Sequence, residues 1–287
     1  MKFQQKYYQL NHGHISAIEI GDVSTSSTTV LCLHGWLDNA ASFESTLNVL
    51  SEQDPDLHLC AIDLPGHGFS SHKAEGNYYP FHDYIDDLYQ LLSTHLNHRK
   101  VVLVGHSLGA LIASCVSSAF PELVSGFVQI EGVGPLPEIE TNTVNRLREG
   151  VISRKRVLNK PPRTFDSLEP VISRRAKLNK VASKLIELII VRGTEKVGDA
   201  YCWRHDIKLQ CQSVYRMSFP HADELLKHIR CPHSIILGDS GYPELKERVE
   251  QLEEVDFKLK VISGGHHCHL ENPSNVANII LALVNKI

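Results

Sequence analysis

Apolar positions in this chain form short unbroken runs that alternate with helix-spaced stretches. Thr28–His34 is an apolar run closed by Gly35. It predicts a strand buried on both faces, because such a strand shows no alternation of polar and apolar positions. Ala40–Ser51 then places Phe43, Leu47 and Leu50 at helical spacing. Leu57–Asp63 is a second strand, closed by Leu64-Pro65-Gly66, and Phe81–Leu96 carries Tyr84, Leu88, Leu91 and Leu92 three or four apart. Lys100–Gly105 is a strand, Leu108 to about Phe120 a helix, and Ser125–Glu131 a further strand. Parallel strands need crossover helices, so this alternation predicts an α/β chain with a mostly parallel, doubly wound sheet. Ligands of such sheets bind beyond the C-terminal ends of the strands.

The alternation stops at about Gly134. Residues 134–218 show helical periodicity and no convincing buried strand. Strands resume at His233–Leu237 and Phe257–Ile262, and a final helix runs from about Asn275 to Ile287. The chain therefore divides into a core from 1–133 and 219–287 with a helical insertion over 134–218. Within the insertion, Val151–Lys160 recurs as Val171–Lys180. Two copies are too few for a solenoid, so these are either two similar basic helices or a chance likeness.

Composition narrows the class. The 287 residues carry 29 Lys+Arg against 33 Asp+Glu, a net charge of −4, with 42% hydrophobic residues. These are globular values, and the mild acidity argues against a general nucleic-acid binder. No uninterrupted apolar run approaches the roughly 18 residues of a membrane span, so no membrane insertion is expected. The N-terminus lacks an apolar signal region, and the seven cysteines are odd in number, with no CxxC pair. Free buried thiols and a cytoplasmic location are expected. Charge is unevenly spread: residues 134–218 hold 17 Lys+Arg against nine Asp+Glu, and the remainder 12 against 24. This basic insertion is either a solvated surface that pairs with the acidic core or a means of attracting an anionic substrate or partner.

The sharpest motif is Gly105-His106-Ser107-Leu108-Gly109, between a strand and a helix. In that context G-x-S-x-G is a nucleophile elbow, which lifts the serine hydroxyl above the sheet edge. Such a serine needs donors for an oxyanion. The N–H of Leu108 is one candidate, and that of Trp36, in the loop after the Thr28–His34 strand, is the other. It also needs a base, and His266, His267 and His269 follow the last strand. A zinc reading of these three lacks HExxH or CxxC support and is not adopted.

These motifs resemble the α/β-hydrolase fold superfamily over nearly the whole chain. The likeness rests on His34-Gly35-Trp36, Asp63 to Ser70, Gly105 to Gly109, and Gly265-His266 with Pro273 following. Arg192-Gly193-Thr194 and Trp203 to Asp206 bring it closer to the serine hydrolase-like family. The resemblance implies a helical cap after strand six, no cofactor, and His266 rather than His267 or His269 as base. It leaves the acid open. Many members carry Asp where Gly241 stands here, and Asp239 lies two residues early; the other known location, after strand six, holds Glu131. Glu131 is the preferred acid and Asp239 the alternative. Trp36 and His106 are expected at the substrate pocket. Asp63 is expected to fix its loop rather than to react.

The expected activity is hydrolysis of a carboxylic ester, or a related small acyl compound, through an acyl-enzyme on Ser107. Carbon–carbon, thioester or lactone hydrolysis and acyl transfer use the same residues. A non-catalytic ligand-binding protein on this fold is the rival of another class.

Overall fold

Among the described residues eleven strands and ten α-helices form in chain order. The strands are β1 (Gln4–Leu10), β2 (Gly13–Ile20), β3 (Thr28–Leu33), β4 (His58–Ile62), β5 (Lys100–His106), β6 (Gly126–Ile130), β7 (Thr164–Phe165), β8 (Thr194–Val197), β9 (Ala200–Trp203), β10 (His233–Gly238) and β11 (Lys258–Ile262). The helices are α1 (Glu44–Gln53), α2 (Phe81–His95), α3 (Leu108–Ala119), α4 (Thr143–Leu158), α5 (Glu169–Asn179), α6 (Ser183–Gly193), α7 (Phe219–Lys227), α8 (Pro243–Glu250), α9 (Cys268–Glu271) and α10 (Pro273–Val284). They are taken from a computed structural model that describes residues 2–97, 99–161 and 163–287; Met1, His98 and Pro162 lie outside it.

Eight strands form one sheet in the order β1-β2-β4-β3-β5-β6-β10-β11. From β4 to β11 every neighbour pair is parallel; β2 runs antiparallel to both β1 and β4. Residues along β3 alternate between two cores. Val30 and Cys32 pack with Leu47 and Leu50 of α1 and with Ile280 of α10. Leu31 and Leu33 pack with Leu88 and Leu91 of α2 and with Ile112 and Val116 of α3. Each such side chain contributes about 1.5–3 kcal/mol through its burial. This double burial explains why β3 to β6 read as unbroken apolar runs.

β1 and β2 carry no apolar run that marks them as strands in the sequence. β1 is a polar edge strand, and only Leu10 of its seven residues is fully buried. Residues 134–218 are not helical throughout, although they hold no fully buried strand. That segment contains α4, α5 and α6, and also a small antiparallel sheet in the order β7-β9-β8. Its strands are two to four residues long and mostly half-buried or exposed, too short to show a period. The two similar basic segments are both helical, in α4 and α5, but they bury different positions. Ser153 and Val157 are covered in one, Val171 and Ala176 in the other. The last helix starts at Pro273, two residues before the sequence reading placed it.

Candidate active site

Ser107 sits between β5 and α3 with φ 48° and ψ −116°, a conformation that L-residues rarely adopt. Its N–H donates to Ile130 O at 2.9 Å, which ties the turn to the end of β6. Gly109 lets α3 start hard against β3, because a β-carbon there would lie 2.6 Å from the Leu33 carbonyl carbon. Among the described residues only five non-glycine residues have positive φ. Three of them, Leu37, Ser107 and Glu131, follow the C-terminal ends of β3, β5 and β6.

Ser107 and Leu108 line a cavity of about 730 Å³, together with Trp36. Leu108 is the first residue of α3, so its N–H has no intrahelical acceptor. Among the described residues neither that N–H nor the N–H of Trp36 donates to a protein acceptor. The positive end of the α3 dipole adds to the local preference for negative charge. The Trp36 indole is fixed separately, with Nε1 donating to Leu209 O at 2.9 Å.

Glu131 and His266 meet although 135 residues separate them. His266 Nδ1 lies 3.2 Å from Glu131 Oε2, and the Glu131 side chain is almost fully enclosed. The other carboxylate oxygen accepts from Gly238 N–H at 2.7 Å. A proton on Nδ1 leaves the lone pair on Nε2 of His266. Asp239 is engaged elsewhere. Its carboxylate accepts from Ser240 Oγ at 2.8 Å and from Gly264 N–H at 3.0 Å, and these two bonds hold its pKa below the usual range. Among the described residues no hydrogen bond joins Ser107 Oγ to His266. The connection runs instead through the neighbouring residue: His106 Nε2–H donates to the His266 carbonyl at 2.8 Å.

The alpha/beta hydrolase fold model matches residues 28–151. A serine hydrolase-like protein of Danio rerio is 26% identical over 263 residues, covering 88% of this chain and 79% of that one. Serine hydrolase-like protein 2 of Homo sapiens is 27% identical over 290 residues, covering 93% and 90%. The solved structure of a hypothetical protein from Pseudomonas aeruginosa PAO1 superposes with a TM-score of 0.87 at 28% identity, covering 98% of this chain and 99% of that one. The chain has the α/β-hydrolase fold, and the relatives it matches over most of its length are serine hydrolase-like proteins. It is a hydrolase.

In this hydrolase His106 is not a pocket residue, contrary to the sequence expectation. It is buried to 1% exposure and does not line the cavity that holds Ser107. His106, the last residue of β5, points into the histidine cluster, whereas the φ 48° turn at Ser107 sets the serine on the cavity. Its ring lies 4.1–5.1 Å from those of His266, His267 and His269. Burial, reinforced by His269 and then His266, keeps its pKa well below the usual histidine value. The neutral ring therefore holds its proton on Nε2 and carries a bare lone pair on Nδ1. Sequence spacing gave no sign of this role, because the residues that meet His106 lie 160 positions away.

Asp38, His106 and His267 bring ligand atoms within 4.8 Å of one another. The Asp38 carboxylate already has partners: Arg175 Nη2 at 2.7 Å and His267 Nε2 at 3.4 Å. Burial alone would raise its pKa, but the hydrogen bond from His267 and the Arg175 charge outweigh burial and lower it. A cation there would have to displace a guanidinium, so this trio is read as a bridge from α5 to the His266 loop. Asp63 is likewise structural. Its buried carboxylate accepts from Ala40 N–H at 2.8 Å and Phe69 N–H at 2.9 Å, and from Arg192 Nη2 at 2.7 Å.

Proposed function

We propose that this hydrolase cleaves a carboxylic ester through an acyl-enzyme on Ser107, with His266 as base and Glu131 as the acid that orients it. The observation that carries the reading is a strained serine that shares one cavity with two unspent backbone N–H groups. The His266–Glu131 pair on the adjoining loop supports the same reading.

Substrate enters beneath residues 134–218, which act as the cap over a core made of 1–133 and 219–287. Rotation of the Ser107 side chain brings Oγ to His266 Nε2, which takes its proton as Oγ attacks the acyl carbon. The negative charge on the carbonyl oxygen is received by the N–H groups of Trp36 and Leu108. The imidazolium faces Glu131, and its Nε2 proton passes to the leaving alcohol. Water then attacks the acyl-enzyme by the same route, giving the acid and free Ser107. Thioesters, lactones and activated carbon–carbon bonds suit the same residues.

Seven cysteines, none of them disulfide-bonded, support a reducing, cytoplasmic setting. Burial pushes the thiols of Cys115 and Cys268 up to about 12, so neither is a nucleophile at neutral pH.

The test is turnover of 4-nitrophenyl butyrate. Wild type should show steady hydrolysis, and Ser107→Ala or His266→Ala should lower kcat by about 10³-fold or more. Equal rates in the variants would move the chemistry elsewhere. Tight ligand binding with no turnover of any acyl substrate would favour the binding-protein reading.

A further inference from the structure

The cavity that holds Ser107 is walled partly by aromatic side chains and carries four cations, Arg146, Arg154, Lys208 and Arg216, and no carboxylate. Two carboxylates stand behind these cations. Glu138 accepts from Arg146 Nε at 3.0 Å and lies 4.0 Å from Arg216, so two guanidiniums share one charge. Asp206 lies 3.4 Å from Lys208, whose ammonium also donates to Ala74 O at 3.1 Å. Arg154 has neither kind of partner. Among the described residues no carboxylate lies within 4.0 Å of its guanidinium, and none of its guanidinium N–H groups makes a hydrogen bond to protein. Its guanidinium is stacked 4.0 Å above the Tyr78 ring. Stacking occupies one face of the planar group and leaves its edge, where the N–H donors point, free for a planar or tetrahedral anion.

Four cations against two carboxylates leave the cavity wall positive, and Arg154, which has no counter-ion among the described residues, stands beside aromatic side chains. We infer that the acyl substrate carries an anionic group, a carboxylate or phosphate, that seats on the Arg154 guanidinium while the ester reaches Ser107. This rests on the ester-hydrolase reading above and names the class of substrate for that site. Part of the basic excess in 134–218 thus faces the cavity rather than bulk solvent. Arg154 is a specificity residue that acts on binding and takes no part in the bond changes.

The experiment compares 4-nitrophenyl esters of succinic, glutaric and adipic acid with their methyl-capped neutral counterparts. A second series carries a terminal phosphonate in place of the carboxylate. Wild type should favour the anionic over the neutral ester by about 10- to 100-fold in kcat/KM, the range of one charge-assisted contact. The chain length at the optimum reports the span from Arg154 to Ser107, and the better series identifies the anion. Arg154→Gln should lower the anionic-to-neutral ratio at least tenfold, and Arg154→Lys should restore part of it. Lys155→Gln removes the same charge from an exposed neighbouring position on α4 and should leave the ratio within twofold. A ratio near one in both series, or an equal loss of ratio in Lys155→Gln, overturns the inference. Labelling of Ser107 by a fluorophosphonate in each variant separates the two readings. A labelled enzyme without preference refutes only the anion seat, whereas an unlabelled wild type refutes the hydrolase site beneath it.

Discussion

Gly241 lies against the carboxylate of Glu131: a β-carbon at position 241 would stand 2.6 Å from Oε2 and 2.7 Å from Cδ. The resemblance places the acid of many relatives at position 241, so carboxylate and missing side chain are two halves of one arrangement. With glycine at 241, the end of β6 supplies the carboxylate to the same space. Gly241→Ala should therefore push Glu131 off His266, lowering kcat by about tenfold and stability by about 1–3 kcal/mol, the usual range for overpacking. The sharper form is a transfer. Glu131→Ala should be nearly inactive, and adding Gly241→Asp should recover part of kcat by supplying a carboxylate from the other strand. No recovery in a folded double variant would mean that position 241 cannot reach His266.

The two candidate acids respond differently to amide substitution. Glu131→Gln keeps the shape but no longer favours the Nδ1–H tautomer, so kcat should fall on the order of 10²–10⁴-fold. Asp239→Asn changes a carboxylate that holds Ser240 and Gly264, and kcat should stay within about threefold. Steady-state kinetics on one aryl ester decides between them, and the reverse ranking would assign the acid to Asp239.

His106 holds the His266 loop through its carbonyl and does not line the Ser107 cavity. His106→Leu removes the donor to the His266 carbonyl and leaves that carbonyl unpaired, at a cost of about 1–3 kcal/mol. We expect kcat to drop by about tenfold with KM little changed, and His106→Gln, which keeps an N–H donor, to regain part of the loss. If KM rises while kcat holds, His106 belongs to substrate binding after all.

Stability should depend on pH through buried histidines. Burial lowers the pKa of His34, His67 and His106, takes His205 and His233 to about 4, and takes His269 to about 3. The unfolded chain binds protons at these sites near pH 6.5 while the folded chain stays neutral. Stability from these groups is therefore full above about pH 6.5 and declines as pH falls towards about 4, by up to about 1.4 kcal/mol per pH unit for each group. Urea midpoints should be flat from pH 7 to 8 and fall steeply from pH 6.5 to 5. A flat profile through pH 5 would show that these histidines are solvated in the native state.

Much of this molecule is legible in its sequence, and the illegible parts share a physical cause. β3, β4, β5 and β6 are buried on both faces and read as apolar runs, whereas β1 is a polar edge strand that pairs on one side only. The strands β7, β8 and β9 are too short to display a period. At the site, Ser107 and His266 stand in local motifs whose glycines mark the turns. Spacing favours Glu131, since Asp239 stands two residues before the usual position, yet it leaves Asp239 open because each follows a strand that ends at the same sheet edge. Their difference lies in partners from other parts of the chain, Gly238 and His266 for one, Ser240 and Gly264 for the other. The misplacement of His106 has the same origin: it is next to Ser107 in sequence, but its ring packs against histidines about 160 positions away.

The central claim is that Ser107 is the nucleophile of a hydrolase. Intact-mass spectrometry after incubation with a fluorophosphonate, followed by peptide mapping, tests it most directly. One adduct per chain is expected, located on Ser107, absent from Ser107→Ala and formed much more slowly in His266→Ala. An unmodified wild type, or an adduct that persists in Ser107→Ala, would contradict it.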